Sequence, residues 1–337
     1  MVHVLTLAFV VSAICVGLMG FAIQRGATCT VAAVDEWITR RRATRLASMI
    51  EASLWVVAGL LLARAFGFAH TMPAGYPLGA LTVVGGALLG LGAYVNRACV
   101  FGAIARLGSG EWAYVFTPLG FYLGCVSVQW LFEGAAPAPL KDPSPLLNGP
   151  MWLAAVAAAL AVVRVGKPLF VRRTAPLPRH LLALLTRRVW SPHAATCVIG
   201  VTFVVVLVLS GTWAYTDALA ELARGMASSL PARIGLLLAL LAGAVIGGIT
   251  AGRYRNTPVT AAQIGRCLTG GVLMGWGSLV IPGSNDGLIL IGLPLLRPYA
   301  WVAFATMCVV IALAIVIARR STRVSQSATQ TMTVAAK

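Results

Sequence analysis

The chain has 337 residues, of which 59% are hydrophobic and 10% charged, and its mean hydropathy is +0.88. Soluble domains carry about a quarter charged residues, so the composition excludes an ordinary soluble fold and predicts an all-α integral membrane protein. The net charge of +17 falls between apolar segments, where it reports on membrane topology, so we expect no nucleic-acid partner.

The apolar segments form about nine predicted transmembrane helices. They are 4–24, 46–66, 77–95, 111–131, 150–165, 194–213, 232–251, 264–281 and 298–318. The first segment lacks a basic region before it and a small-residue cleavage site after it. We therefore expect it to remain as a helix and not to be removed as a signal peptide.

Basic residues lie mostly on one side of these segments. If the N-terminus is outside, 21 of the 26 lysines and arginines fall in inner segments and 5 in outer segments. Because positive residues collect on the cytoplasmic side, this distribution predicts a periplasmic N-terminus and a cytoplasmic C-terminus. The same residues are expected to contact anionic lipids of the bilayer.

The chain contains an internal repeat with an offset of 185 residues. Residues 85–92 match 270–277 in the pattern Gly-Gly-x-x-x-Gly-x-Gly, and Cys99 corresponds to Ser284. The predicted divisions are a first repeat of four spans at 1–131, a region at 132–193 with an outer loop, the fifth span and a cytoplasmic loop, a second repeat of four spans at 194–321, and a disordered cytoplasmic tail at 322–337. Because one extra span separates the units, we expect the second repeat to be inverted in the membrane.

Each repeat also holds two short stretches that are too brief to span, at 26–38 and 96–107 and at 211–225 and 282–292. We predict re-entrant half-helices, since irregular backbone at membrane depth survives only inside protein or along a cavity. Helix N-termini offer free N–H groups and partial positive charge, so such ends meeting at the midplane would suit an anion. The alternative for the repeated glycines is a close helix interface.

The seven cysteines include no CxxC pair, so neither a metal site nor a disulfide framework is expected. Cys29 and Cys99 each begin a predicted half-helix, and each follows a polar pair, Gln24-Arg25 or Asn96-Arg97. Their sulfur is soft and polarisable, which suits a soft anion. We expect the remaining cysteines to be small hydrophobic residues, namely Cys15, Cys125, Cys197, Cys267 and Cys308.

Three motifs in order resemble the signatures of the YeeE/YedE-type sulfur-transport family. They are Gln24-Arg25-Gly26-Ala27-Thr28-Cys29, then Asn96-Arg97-Ala98-Cys99-Val100-Phe101-Gly102, and last Pro282-Gly283-Ser284-Asn285-Asp286. The resemblance implies a bacterial inner-membrane protein with an hourglass shape that takes up thiosulfate or a related sulfur anion without a cofactor. It also implies that waist cysteines pass the anion by transient S–H···S contacts, and that any TusA-like sulfur carrier on the cytoplasmic side is a separate chain.

These motifs and the half-helix geometry yield the predicted site residues. Substrate binding or permeation is expected at Cys29, Cys99, Ser284, Gln24, Arg25, Asn96, Arg97 and Asn285, with supporting roles at Glu51, Asp286, Gly26, Gly102, Gly283 and Gly287. An acid inside a span, such as Glu51, marks a functional candidate: it either couples protons or pairs with Arg25 or Arg97. Asp286 is expected to cap the half-helix that follows it.

Ser284 departs from the thiosulfate-transporting pattern, which has a third cysteine at this place. The residues leave open whether the substrate is thiosulfate, sulfite, sulfide or a selenium species. A transporter is favoured over an enzyme because all four histidines fall in predicted loops or at segment ends, which leaves no general base for a cysteine nucleophile. The remaining alternatives are a membrane-embedded sulfurtransferase and a non-transporting membrane subunit.

Overall fold

The computed structural model describes residues 6–68, 72–131, 137–140, 142, 144–150, 152–171, 187–224 and 230–335, and every regular element in them is a helix. The helices are α1 Leu7–Gly26, α2 Thr30–Arg40, α3 Thr44–Ala65, α4 Ala80–Asn96, α5 Val100–Gly108, α6 Phe116–Leu131, α7 Pro145–Asn148, α8 Trp152–Val171, α9 Pro192–Ser210, α10 Tyr215–Ala223, α11 Leu230–Thr250, α12 Ala261–Val280, α13 Asn285–Gly287 and α14 Pro298–Ala335. A 3-10 turn precedes α6 at Trp112–Val115, and a π-helical turn follows α13 at Leu288–Gly292.

Several of these helices are long and apolar enough to cross a membrane. Six segments of the described chain qualify, at Leu7–Arg40, Thr44–Ala65, Ala80–Gly108, Pro192–Ser210, Pro231–Thr250 and Pro298–Ser321. A seventh is the pair Ala261–Val280 and Asn285–Gly292, which bends by 50° at its break. The predicted all-α, multi-pass membrane protein is therefore confirmed.

Helix length and hydropathy give six or seven crossings, fewer than the predicted number of about nine. The fourth predicted span loses its first turn to the 3-10 turn, which leaves the 16-residue helix α6. The fifth predicted span corresponds to α8, Trp152–Val171. Each predicted segment thus contains a helix, and the number of crossings stays a prediction.

The C-terminal tail differs from its prediction. Residues 322–337 were expected to be disordered, yet α14 continues through this stretch as far as Ala335. Residues 322–335 contain neither glycine nor proline, so nothing interrupts the hydrogen bonding once the apolar part of the helix has formed. Of the predicted cytoplasmic loop, 172–186 lies outside the described residues.

Contacts between helices of the two repeats come in equivalent pairs. In the second contact of each pair, the two helices have exchanged repeats. The offset of 185 residues places α1 on α9, α3 on α11, α4 on α12, α6 on the start of α14, α2 on α10 and α5 on α13. Helix α1 packs against α11, and correspondingly α9 packs against α3; α4 packs against α14, and α12 against α6. This exchange is the pattern expected of two repeats related by a pseudo-two-fold axis.

Glycines allow the two central helices, α4 and α12, to approach closely. A Cβ atom on Gly277 would lie 2.6 Å from the carbonyl oxygen of Gly85, and one on Gly92 would lie 2.7 Å from that of Gly270. The two contacts are equivalent under the offset. Further repeated glycines, Gly86, Gly90, Gly271 and Gly275, likewise face backbone atoms of neighbouring helices. The small-residue interface considered from the sequence is therefore present.

Candidate functional site

The short helices α2, α5, α10 and α13 each begin at a buried residue with extended backbone. These N-cap residues are Cys29, Cys99, Ala214 and Ser284. All four are less than one tenth exposed. The offset pairs Cys29 with Ala214 and Cys99 with Ser284. Each half of the chain thus contributes two helix N-termini, and only those of the first half carry sulfur.

Two hydrogen bonds join these helix ends across the halves. Thr30 Oγ1 donates to Asn285 Oδ1 over 3.2 Å, and Tyr215 OH donates to the carbonyl oxygen of Val100 over 3.0 Å. The four residues are the first residues of α2, α13, α10 and α5, and the two bonds are equivalent under the offset. They hold the four N-termini around one buried centre, which we call the waist.

The two waist cysteines lie against each other. The backbone N–H of Thr30, the residue that follows Cys29, donates to Cys99 Sγ over 3.1 Å. Both are free thiols. Gly102 provides the room for this pair, since a Cβ there would lie 2.6 Å from Cys29 Sγ. The first half of the waist is therefore a thiol pair in contact with helix N-terminal backbone.

The second half of the waist is a cluster of hydroxyl groups around a carboxylate. Ser284 Oγ lies 2.5 Å from Thr216 Oγ1 and also hydrogen-bonds to the Asp286 carboxylate. Thr216 Oγ1 donates to Asp286 Oδ1 over 2.7 Å, and the backbone N–H of Gly287 donates to the same oxygen over 3.1 Å. The N-cap position of α13 belongs to Ser284, so Asp286 lies one residue inside the short helix and accepts from the N–H of its immediate neighbour.

Three buried polar groups at the waist have no hydrogen-bond partner among the described residues. They are Asn285 Nδ2, Thr28 Oγ1 and Trp213 Nε1. Thr28 and Trp213 directly precede the N-cap residues Cys29 and Ala214, and they are equivalent under the offset. All three groups can donate a hydrogen bond. Because buried donors are nearly always paired, these three groups are candidates to donate to a polar ligand at the waist.

A polar cavity of about 170 Å³ leads to the waist from one side. Its lining includes Ser284, Thr216, Asp217, Glu221, Arg224 and Arg233. Arg233 Nε forms an ion pair with the Glu221 carboxylate over 2.9 Å. Since Ser284 is both an N-cap residue of the waist and part of the cavity wall, a polar solute in the cavity reaches the waist directly.

Residues 25–313 of the 337 match a family model described as sulphur transport. The chain belongs to the YeeE/YedE sulphur transport family. A comparison with curated proteins finds no match. The matched region includes all four short helices and the whole cavity lining. The family therefore assigns the chain to membrane proteins that transport sulfur compounds.

In this member of the sulphur transport family, Asn96 supports the waist from the side of Cys99. Its Nδ2 donates to the carbonyl oxygen of Ala98 over 2.8 Å, and its Oδ1 accepts from Thr117 over 2.9 Å. Gln24 donates to Ser109 Oγ over 3.3 Å, and its buried Oε1 has no partner in the described part of the chain. Asn96 thus shapes the segment before Cys99.

The two predicted arginines occupy different surroundings. Arg25 is buried, donates to the carbonyl oxygen of Arg187 and to Thr250 Oγ1 (2.7 Å), and lies 4.8 Å from the centre of the Phe21 ring. Arg97 is exposed and caps the end of α4 in the left-handed conformation. These two hydrogen bonds therefore join α1 to α11 and to the 187–190 segment, and neither of them involves a waist cysteine.

Glu51 does not pair with Arg25 or Arg97, as considered from the sequence. Its carboxylate accepts from Arg164 Nε over 2.9 Å and contacts His193 Nδ1. The face of α3 that carries Glu51 meets α8 and α9, which supply these partners. Glu51 therefore forms a structural ion pair between three helices.

The predicted supporting glycines also differ in their surroundings. A Cβ on Gly26 would lie 2.3 Å from Ala195 Cβ, so this glycine serves helix packing. A Cβ on Gly283 would make ordinary contacts, and one on Gly287 would lie 4.0 Å from Ser284 Oγ. Sequence reasoning missed Thr216 and Tyr215, although the offset of 185 places Tyr215 opposite Thr30, next to a waist cysteine.

Proposed function

We propose that the chain takes up thiosulfate or a related small sulfur-containing anion across the bacterial inner membrane, through the waist. The observation that carries the proposal is the convergence of four buried helix N-termini beside two free thiols. Helix N-termini attract anions through free N–H groups and partial positive charge. The unpaired donors Asn285 Nδ2, Thr28 Oγ1 and Trp213 Nε1 add hydrogen bonds for the same ligand.

Weak attraction at the waist suits transport better than a fixed cation would. A charge at the bilayer centre costs about 2.5 to more than 10 kcal/mol, so an anion needs partners at every step. Binding must still be weak enough to let the ion leave. The S–H groups of Cys29 and Cys99 are weak donors to a sulfur atom. They therefore provide successive short-lived contacts between the cavity side and the opposite side of the waist.

The proposed direction of transport follows from the charge distribution. With the N-terminus periplasmic, the loops joining α9, α10 and α11 lie outside, and the polar cavity becomes the periplasmic entrance. The anion then meets Ser284 and Thr216 first and the thiol pair next. The exchanged helix contacts support an inverted repeat. A separate TusA-like carrier at the cytoplasmic side would accept the delivered sulfur.

Uptake of isotopically labelled thiosulfate by cells that lack other importers tests the proposal. We expect uptake by the wild-type protein and its loss in Cys29→Ala and in Cys99→Ala. Cys15→Ala and Cys308→Ala are the controls, because neither residue belongs to the waist. Expression of the wild-type protein without uptake would overturn the substrate, and competition with sulfite, sulfide or a selenium oxyanion then identifies another one. Normal uptake by both waist variants would overturn the thiol mechanism.

A membrane-embedded sulfurtransferase is the second candidate, because Cys29 or Cys99 could act as a nucleophile. A cysteine nucleophile is activated by an adjacent base or by a helix N-terminus, and the waist offers the second of these. Within the described residues, neither thiol forms a hydrogen bond to a histidine or a carboxylate, and His193 instead pairs with Glu51. Release of sulfite from thiosulfate by the purified protein in detergent would favour the enzyme over the transporter.

A further inference from the structure

Asp286 is a buried acid in the waist without a cationic partner in the described part of the chain. Its residue is 2% exposed, and no arginine or lysine forms an ion pair with it among the described residues. Among the described residues, its hydrogen-bond partners are the hydroxyl groups of Ser284 and Thr216 and the N–H of Gly287. Burying an ionised carboxylate without a cation is unfavourable, and acids within membrane spans mark ion pathways or proton relays.

The surroundings of Asp286 give protons a route from the cavity. Ser284 and Thr216 line the cavity and both hydrogen-bond to Asp286. The other charged or titratable groups around it in the described chain are Tyr76, Asp217, Glu221, Arg224 and Arg233 in the cavity and Tyr215 and Cys99 in the waist. The two arginines balance Asp217 and Glu221 when both are ionised, so an ionised Asp286 adds an uncompensated negative charge at the inner end of the cavity.

We propose that Asp286, together with Ser284 and Thr216, is a proton-binding site that couples proton entry to anion passage. This inference rests on the proposed transport function. When Asp286 is ionised, both hydroxyl groups donate to its carboxylate, and its charge repels an anion. When it binds a proton from the cavity, the charge disappears, and the carboxyl O–H and the two released hydroxyl groups become donors to the anion. The proton leaves Asp286 after the anion has passed, and both enter the cell.

Liposomes that contain the purified protein test the coupling. An acidic exterior should stimulate uptake of labelled thiosulfate, and a pH-sensitive dye inside should report acidification. Asp286→Asn keeps the Oδ1 acceptor and removes the proton site. We expect it to lower gradient-driven uptake by about tenfold or more and to abolish the acidification that accompanies uptake. Asp35→Asn is the matched control, because Asp35 is a half-exposed acid outside the waist that pairs with Arg319.

Thr216→Val is a second variant that leaves Asp286 in place and removes one donor to its carboxylate. The ionised form of Asp286 loses a hydrogen bond in this variant, which favours its protonated form. We therefore expect uptake by Thr216→Val to persist to higher external pH than uptake by the wild-type protein. Gradient-stimulated uptake and acidification in Asp286→Asn equal to the wild-type values would overturn the inference, as would an unchanged pH profile in Thr216→Val.

Infrared difference spectroscopy of the purified protein between alkaline and acid buffer separates this inference from the transport proposal. We expect a carboxylic-acid C=O band that disappears in Asp286→Asn and remains in Asp35→Asn. If this band is present and thiosulfate uptake is absent, thiosulfate is not the substrate, and the proton site is still supported. Thiosulfate uptake without an Asp286-dependent band would support the transport proposal and overturn the proton site.

Discussion

Gly102→Ala tests whether the contact between the two waist thiols matters for transport. The new Cβ would lie 2.6 Å from Cys29 Sγ, 3.0 Å from Cys29 Cβ and 3.1 Å from Ala98 Cβ. Ordinary contacts between such atoms lie at about 3.5–4.0 Å, so the Cys29 side chain must move by about 1 Å. Overpacking of this kind costs about 1–3 kcal/mol. If the cost falls on anion transit, uptake decreases about 5- to 150-fold.

The assay is the initial rate of labelled thiosulfate uptake, normalised to the amount of folded protein in the membrane. Gly287→Ala is the matched control, because Gly287 is the offset equivalent of Gly102 and its Cβ would have Ser284 Oγ, at 4.0 Å, as its nearest atom. We expect uptake by this control to remain within about twofold of the wild-type rate, since the added methyl group meets no atom closer than 4.0 Å. Equal rates in the two variants would refute the reasoning.

Three further predictions concern substrate, packing and the structural ion pair. Ser284→Cys should raise thiosulfate uptake relative to sulfite uptake, because sulfur is softer than oxygen; an unchanged ratio, measured by competition, would contradict this. Gly277→Val should lower the yield of monodisperse protein, since its Cβ would meet the Gly85 carbonyl oxygen at 2.6 Å. Gly265→Val should leave the yield unchanged, because a Cβ there would have no atom within 4 Å. Glu51→Gln should leave uptake unchanged and lower the free energy of unfolding by less than about 1 kcal/mol, because Arg164 is half exposed and an exposed ion pair contributes little. Loss of uptake would indicate a coupling role instead.

The sequence was sufficient for the apolar helices and for the positions of the short helices, but not for the helical tail at 322–335. The predicted stretch 26–38 contains most of α2, Thr30–Arg40, and 211–225 contains the whole of α10, Tyr215–Ala223. Hydropathy and local breaks determine these elements, because a membrane requires backbone hydrogen bonds to be satisfied within each helix. The repeat was also visible, since glycines at the helix interface keep a regular spacing that side-chain packing demands.

Only the tertiary structure decided which side chains meet. Thr30 bonds to Asn285 across 255 residues of sequence, and Thr216 bonds to Asp286 across 70 residues. Glu51 could have faced several arginines, and the packing of α3 against α8 and α9 selected Arg164 and His193. The sequence by itself determined the helices and the residue types that approach the waist, because those depend on local hydropathy and spacing. The contacts that make one end of the waist a thiol pair and the other a carboxylate with two hydroxyl groups depend on how distant helices dock, which local pattern does not specify.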